Sequence, residues 1–357
     1  MEGAAHYEGA VRPGGREAQP EVYRWLLELA SKYRVLIPSE KGGNRIFQDV
    51  NATGGPVFGL PQEHTLLPVK KVFLPSGEAL LEFQDDEIAP GAVPEKTLVF
   101  GLHVCELSAD RLLTCNMADD RSDYPYLARR NETLVAGVSC RRTAGCFCEK
   151  TGHDRARPGD FDLFLELGSR GGAGYLTGGK SVGSRLLAGS SAGRELARGA
   201  PLPVAEAGEV VAPSAPGGSE PWPLSSLPDR VRESFGAAIW DELAERCLGC
   251  GNCTIVCPLC YCFYTRDETG LDPAAGRRLR LWDSCQLVAF ARVAGGHNFR
   301  EARSERIWYR FSHKFMRTQE RFGMPGCSGC GACAHFCPVD IDPREVIAGV
   351  LGVTSRA

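Results

Sequence analysis

Two copies of one pattern, Cys-x2-Cys-x2-Cys-x3-Cys-Pro, constrain this chain more than any other feature. The first runs from Cys247 to Pro258 and the second from Cys327 to Pro338. Three thiolates at i, i+3 and i+6 let one tight loop wrap three corners of a cubane iron–sulfur cluster. The fourth cysteine, followed by proline, points away and ligates the other cluster of a two-cluster ferredoxin. The spacing therefore predicts one [4Fe–4S] cluster on Cys247, Cys250, Cys253 and Cys337, and a second on Cys327, Cys330, Cys333 and Cys257. Gly249, Gly251, Gly329, Gly331 and Ala332 lie between these cysteines, and such small residues let the backbone come close to the sulfides. Structural zinc is the competing reading, but zinc sites present two separated cysteine pairs rather than three thiols plus Cys-Pro, twice.

The remaining cysteines follow the same logic. The chain of 357 residues has 16 cysteines, with none in its first 100 residues and none between Cys148 and Cys247. Clustering of this kind marks metal binding rather than a disulfide framework. The N-terminus lacks a basic start followed by an apolar run, so no secretory signal is read, and a cytoplasmic location is expected. The longest apolar runs, such as Val346–Val353, fall far short of the ~20 residues of a membrane span. A net charge of −3 gives no reason to expect nucleic-acid binding.

The pattern along the chain predicts an α+β protein: an N-terminal mixed α/β domain (1–225), then a mostly helical two-cluster ferredoxin domain (226–357). Glu21–Lys32 reads as an amphipathic helix. The segments RVLIP, RIFQDV, VKKVFLP and LLEFQ read as extended. Thr97–Val104 and Thr133–Cys140 read as buried strands joined by a helix, a βαβ unit with parallel strands, and Phe161–Leu167 as a further strand. Residues 168–198, rich in Gly and Ser, and 199–228, rich in Pro, Gly and Ala, read as a turn-rich connection and a tether. Asp229–Arg246 reads as a helix leading into the first motif, and mostly helical patterning continues to the end.

Cys105 and Cys140 stand at the carboxyl ends of the two predicted parallel strands, the edge where sites collect. Cys146 and Cys148 follow within reach. These four thiols are expected to hold a third [4Fe–4S] cluster, with zinc or scattered free thiols as the alternatives. Cys115, on the intervening helix, is expected to pack as a small hydrophobe. Cys260, Cys262 and Cys285 form a trio that could pack beside the clusters or hold a further metal; without an evident fourth ligand, packing is expected. Arg300, Arg303, Arg306, Arg310, Lys314, Arg317 and Arg321 recur at three- or four-residue steps on one helix. The plain reading is a solvated face; the sharper one is a face that docks an acidic partner or offsets cluster charge. His297 and His313 are read as ordinary satisfied residues.

The chain resembles the iron–sulfur β subunits of cytosolic sulfhydrogenase-type nickel–iron hydrogenases and the corresponding iron–sulfur subunits of anaerobic sulfite reductases. The resemblance rests on RCLGCGNCTIVCPLCYCF, WDSCQL with AGGHNFR and HKF, GCSGCGACAHFCPVDID, and FGLHVCEL with SCRRTAGCFC. It extends from about residue 33 to 347 and departs around 199–225. It implies an electron-transfer subunit without substrate chemistry of its own, relaying electrons between a flavoprotein partner linked to NAD(P)H and a catalytic redox subunit. That catalytic subunit would be a hydrogenase, a sulfite reductase or a heterodisulfide-reductase-like protein. A redox-sensing module is the alternative from another class, disfavoured by the lack of a DNA-binding motif. Reduction of a small substrate at the N-terminal site is a third, weaker possibility.

Overall fold

The computed structural model describes residues 20–53, 65–91, 94–140, 145–166, 175–178, 181–197, 210–211, 221–271 and 274–352. Most of the expected 199–225 tether lies outside these residues. In chain order the strands are β1 (Arg34–Lys41), β2 (Asn44–Asp49), β3 (Glu78–Gln84), β4 (Glu87–Pro90), β5 (Thr97–Leu102) and β6 (Thr133–Val138). They continue with β7 (Arg155–Ala156), β8 (Leu163–Glu166), β9 (Tyr175–Gly178), β10 (Val210–Val211), β11 (Phe263–Thr269) and β12 (Ala275–Trp282).

Six strands form a sheet in the order β2-β1-β5-β6-β8-β9. Its centre, β1-β5-β6-β8, is parallel, and both flanks are antiparallel. All six residues of β5 are buried, as expected of a strand covered on both faces. Side-chain alternation divides them. Leu98 and Phe100 join Val22, Trp25 and Leu26 of the helix Pro20–Leu29 in one core. Val99 and Leu102 join Leu107, Leu112 and Leu113 of the helix Val104–Ala118 in another. The βαβ unit is thus built as the sequence predicts.

A third core closes the C-terminal region. Trp240 and Leu243 of the helix Ala238–Arg246 pack with Ile307, Phe311 and Phe315, and with Val346, Ile347 and Val350 of the helix Pro343–Gly352. The protein is α+β, with a six-stranded sheet in its N-terminal half and mostly helices around the ferredoxin motifs.

Four details differ from expectation. VKKVFLP contains the short helix Lys70–Phe73 rather than a strand. The Gly/Ser-rich stretch carries the helices Ser181–Ala188 and Ser191–Ala197. Cys115 is exposed rather than packed. Between the two motifs stands a β-hairpin, β11–β12, which joins β3 and β4 in a second sheet ordered β11-β12-β3-β4. Arg280 of β12 is almost fully buried and binds Glu78 of β3, its Nε 2.5 Å from Oε1. It also pairs with Asp123, while Arg129 holds the other Glu78 oxygen at 2.6 Å.

Candidate iron–sulfur centres

The two motifs adopt the same backbone course. Gly249 and Gly251 have φ of 65° and 84°, and Gly329 and Gly331 have 63° and 84°. Each loop then enters a single helical turn, Asn252–Ile255 or Ala332–His335. Left-handed glycines at both places fold the chain back on itself, leaving the cysteines around a common centre. A β-carbon on Gly331 would lie 2.3 Å from the Gly145 carbonyl oxygen, and one on Gly329 would lie 2.5 Å from Cys148 backbone. Glycine at these two positions is therefore what lets the 145–148 loop lie on the second motif.

Cys247, Cys250, Cys253 and Cys337 line one cavity of about 50 Å³, into which Cys333 also faces. Cys257, Cys327, Cys330 and Cys333 form the neighbouring group. Burial raises the Cys330 thiol, and the charges of Cys257, Cys333 and Cys327 raise it further. Burial likewise pushes Cys327 up to about 11, against the pull of Lys314. Backbone N–H groups point at sulfur throughout: Gly249 at Cys247 (3.3 Å), Leu259 at Cys257 (3.4 Å) and Ile341 at Cys337 (3.3 Å). Such donors, with buried cations, are what an anionic cluster needs once it is removed from water.

The cations are there. Arg310 and Lys314 are buried. Lys314 Nζ donates to Cys257 Sγ at 3.2 Å and to the Gly326 carbonyl at 2.7 Å. Burial alone would lower the Lys314 pKa, but Cys257 and Cys260 raise it. Cys257 is held well below the usual thiol range, by a hydrogen bond from Cys260 and by Lys314 and Lys70 against its own burial. Arg310 Nη2 donates to the Cys253 carbonyl at 3.3 Å, and its charge faces Cys253 and Cys333. Lys70 sends Nζ to the carbonyls of Cys260 (2.7 Å) and Thr254 (2.9 Å).

These positions correct the solvated-face reading of the cationic helix. The helix Arg303–Ser312 runs through a π-turn, His313–Arg317, into Thr318–Phe322. Arg303, Arg317 and Arg321 are exposed, whereas Arg306, Arg310 and Lys314 face inward. Arg306 donates to the backbone carbonyls of Gln286 (2.9 Å), Arg300 (3.3 Å) and Glu301. The sharper reading survives in one part, charge offset at the motifs. The spacing was visible in the sequence; which cations turn inward was not. Lys70, in a segment read as extended, gave no signal.

The N-terminal cysteines gather at the carboxyl edge of β5 and β6. Cys105 lies in the first turn of the helix after β5, is buried, and feels Cys148, Cys330 and Cys140 as neighbouring charges. Cys146 reaches the Cys330 carbonyl, Sγ to O 3.8 Å, and Phe147 N–H donates to Gly329 O at 2.7 Å. His153 braces this contact. Its Nε2–H donates to Pro325 O at 2.8 Å, and its Nδ1 accepts from Ser108 at 2.9 Å. Burial holds it neutral, its pKa down to about 4. Among the described residues no three Cys, His, Asp or Glu side chains are gathered tightly enough for a single metal ion.

Cys260, Cys262 and Cys285 pack beside the first motif, Cys260 against the N-terminal core, yet they also line a cavity of about 220 Å³ with His313.

Residues 246–341 match the family of 4Fe-4S dicluster domains. The chain is 31% identical to the Sulfhydrogenase 2 subunit beta of Pyrococcus furiosus over 332 residues, 92% of this chain and 94% of that protein. The chain belongs to the sulfhydrogenase beta-subunit family. Its dicluster region accounts for [4Fe–4S] binding at the two motifs, and the match extends over the N-terminal half as well, where no ferredoxin pattern occurs. No solved structure matches this family member. Among the described residues no helix is long and apolar enough to cross a membrane.

Proposed function

We propose that this chain is the electron-transfer subunit of a multi-subunit oxidoreductase, joining a flavoprotein linked to NAD(P)H to a catalytic redox subunit. Three clusters are assigned: Cys247, Cys250, Cys253 and Cys337; Cys257, Cys327, Cys330 and Cys333; and Cys105, Cys140, Cys146 and Cys148. When bound, such clusters supply one-electron chemistry over a wide span of potentials. The chain's own residues fix their order.

The single observation that carries this reading is the continuity of the thiol groups. Cys333 faces the cavity of the first motif, and Cys330 adjoins Cys105 and the 145–148 loop. The second motif therefore lies between the first motif and the N-terminal set, an arrangement suited to a linear relay. At one end Cys250 and Leu248 are exposed, Leu248 by 61%, where a partner's redox group can approach.

The test has two arms. Anaerobic iron and sulfide analysis of a C146S/C148S variant should show about four irons fewer than the unaltered protein, with the ferredoxin EPR signals retained. In the native complex NAD(P)H should reduce this subunit's signals, whereas the isolated chain should not respond. Unchanged iron would remove the third cluster, and direct reduction of the isolated chain would overturn the relay.

A further inference from the structure

Between β12 and the helix Arg303–Ser312 runs AGGHNFR, Ala294–Arg300, a stretch to which the cluster assignments give no role. It is the tip of a small hairpin held by its own backbone. Val293 N–H donates to His297 O at 2.9 Å, Gly296 N–H to Val293 O at 3.1 Å and Phe299 N–H to Ala291 O at 3.3 Å. Arg292 and Asn298 form an antiparallel bridge. Gly295 and Gly296 make the reversal at φ of 85° and 82°, a region glycine enters without steric cost. Asn298 ties down the base: its Nδ2 donates to Val288 O at 2.6 Å, and its Oδ1 accepts from Arg300 N–H at 3.0 Å.

This finger holds its apolar side chains out to solvent: Val293 is 46% and Phe299 66% exposed. Strand alternation puts both, with His297, on one side and Arg292 on the other, and the His297 ring stands edge-on to Phe299 at 4.7 Å. The apolar surface continues toward the first motif through Val288 and Leu287 to Leu248, all exposed. Leu287 Cδ2 lies 4.0 Å from where a β-carbon on Gly251 would stand, so the patch borders the loop that carries the exposed Cys250. One exposed leucine needs no explanation. A run of them beside a cluster, on a loop braced against folding back, marks a protein-binding surface. Charge then narrows the partner. From Leu287 to Arg303 the chain carries Arg292, Arg300 and Arg303 against Glu301 alone, although the whole chain stands at −3. Among the described residues none of these arginines forms an ion pair: Arg303 donates to the Ala244 carbonyl at 3.0 Å, and Arg300 lies 3.8 Å over the Tyr309 ring. A second copy of this chain would bring like charges against them, whereas an acidic face would pair with them.

We propose that this finger docks the redox subunit that exchanges electrons with the first cluster, and that the partner meets it with an apolar surface rimmed by carboxylates. The inference rests on the relay reading for what the partner does, and on the finger for where it binds. It gives the outer end of the cationic series, Arg300 and Arg303, a docking role that the inward Arg306 and Arg310 do not share. Because the finger is built before the partner arrives, little ordering is lost on binding. Phe299 and Val293 would supply the buried centre of the interface, with the arginines at its rim.

The experiment starts from the native complex carrying a tag on this chain. The partner subunits washed off it are rebound, without oxygen, to full-length variants, and affinity is read at low and high salt. F299S should keep the iron content and EPR signals of the unaltered chain and bind its partner about 30-fold more weakly. R292E/R303E should weaken binding at low salt and flatten its salt dependence. I88S, at an exposed apolar residue of β4, should bind as the unaltered chain does. Unchanged affinity in both F299S and V293S/F299S would overturn the proposal, and so would unchanged low-salt affinity in R292E/R303E. Self-association of the isolated chain that F299S abolishes would assign the face to a second copy and overturn it too. The relay reading fails separately: if NAD(P)H does not reduce this subunit in a complex that F299S still weakens, the relay falls and the docking surface stands.

Discussion

Lys314 Nζ lies 3.2 Å from the sulfur of Cys257, the cysteine that leaves the first motif and crosses to the second. The contact joins a buried ammonium to a thiol whose pKa is lowered in part by that charge. Neither residue suits a protein core alone. Together they mark the place where the two motifs interlock.

Replacing Lys314 with Met should leave the crossing sulfur without its counter-charge. Breaking one partner of a buried pair costs about 3–5 kcal/mol. A lower midpoint potential for the second cluster and a lower melting temperature are expected, from EPR redox titration and anaerobic thermal unfolding. An unshifted potential would mean that Lys314 serves only its bond to Gly326.

Charge reversal at Arg306 and Arg310 separates structure from docking. Because both are buried, R306E/R310E should lose iron and aggregate, at any ionic strength. Full iron content with salt-dependent loss of partner binding on a sizing column would restore the docking reading.

Stability should fall with acid through His153. Its folded pKa of about 4 lies below the ordinary value of 6.5. A depressed histidine contributes fully above pH 6.5, and the contribution drains away as pH falls toward 4. The full span is on the order of 3 kcal/mol. His103 is depressed in the same direction by its own burial and should add to the slope. Urea midpoints measured anaerobically across this range should flatten in H153Q relative to the unaltered chain.

Gly331→Ala should damage the join between the second motif and the N-terminal loop. The new methyl would meet the Gly145 carbonyl oxygen at 2.3 Å, and the backbone would be strained by φ of 84°. A loss above about 2 kcal/mol is expected, with faster proteolysis near residue 145 as the local readout. G295A, at positive φ but with open space around it, is the control for strain without collision.

The motifs and the strand pair β5–β6 were legible in the sequence because each carries its own local signal: fixed cysteine spacing in one case, unbroken branched apolar runs in the other. The hairpin β11–β12 was not. Six of the seven residues of β11 are exposed, so no apolar alternation marks it. Cross-strand ion pairs hold it instead, Arg277 with Glu268 and Arg278 with Asp267, and such pairs are visible only once the register is known. The inward cations escaped for a related reason. Arginine and lysine read as surface residues unless something anionic occupies the interior, and the sequence names the thiols without saying which helix covers them. Cys262 and Cys285 were recognised, but their convergence depends on the unread hairpin.

The second sheet also bears on how the chain is made. Strand β3 pairs with β4 on one side, but its other partner, β12, is synthesised nearly two hundred positions later. While the ribosome extends the chain, β3 presents an open edge and Glu78 waits for Arg280, and such edges recruit other strands. By the time β12 emerges, the whole first cysteine motif has preceded it. Cys337, the fourth ligand assigned to that motif, is made only after β12, so the sheet can close, and the β3 edge be covered, before either ferredoxin cluster has its full set of thiols.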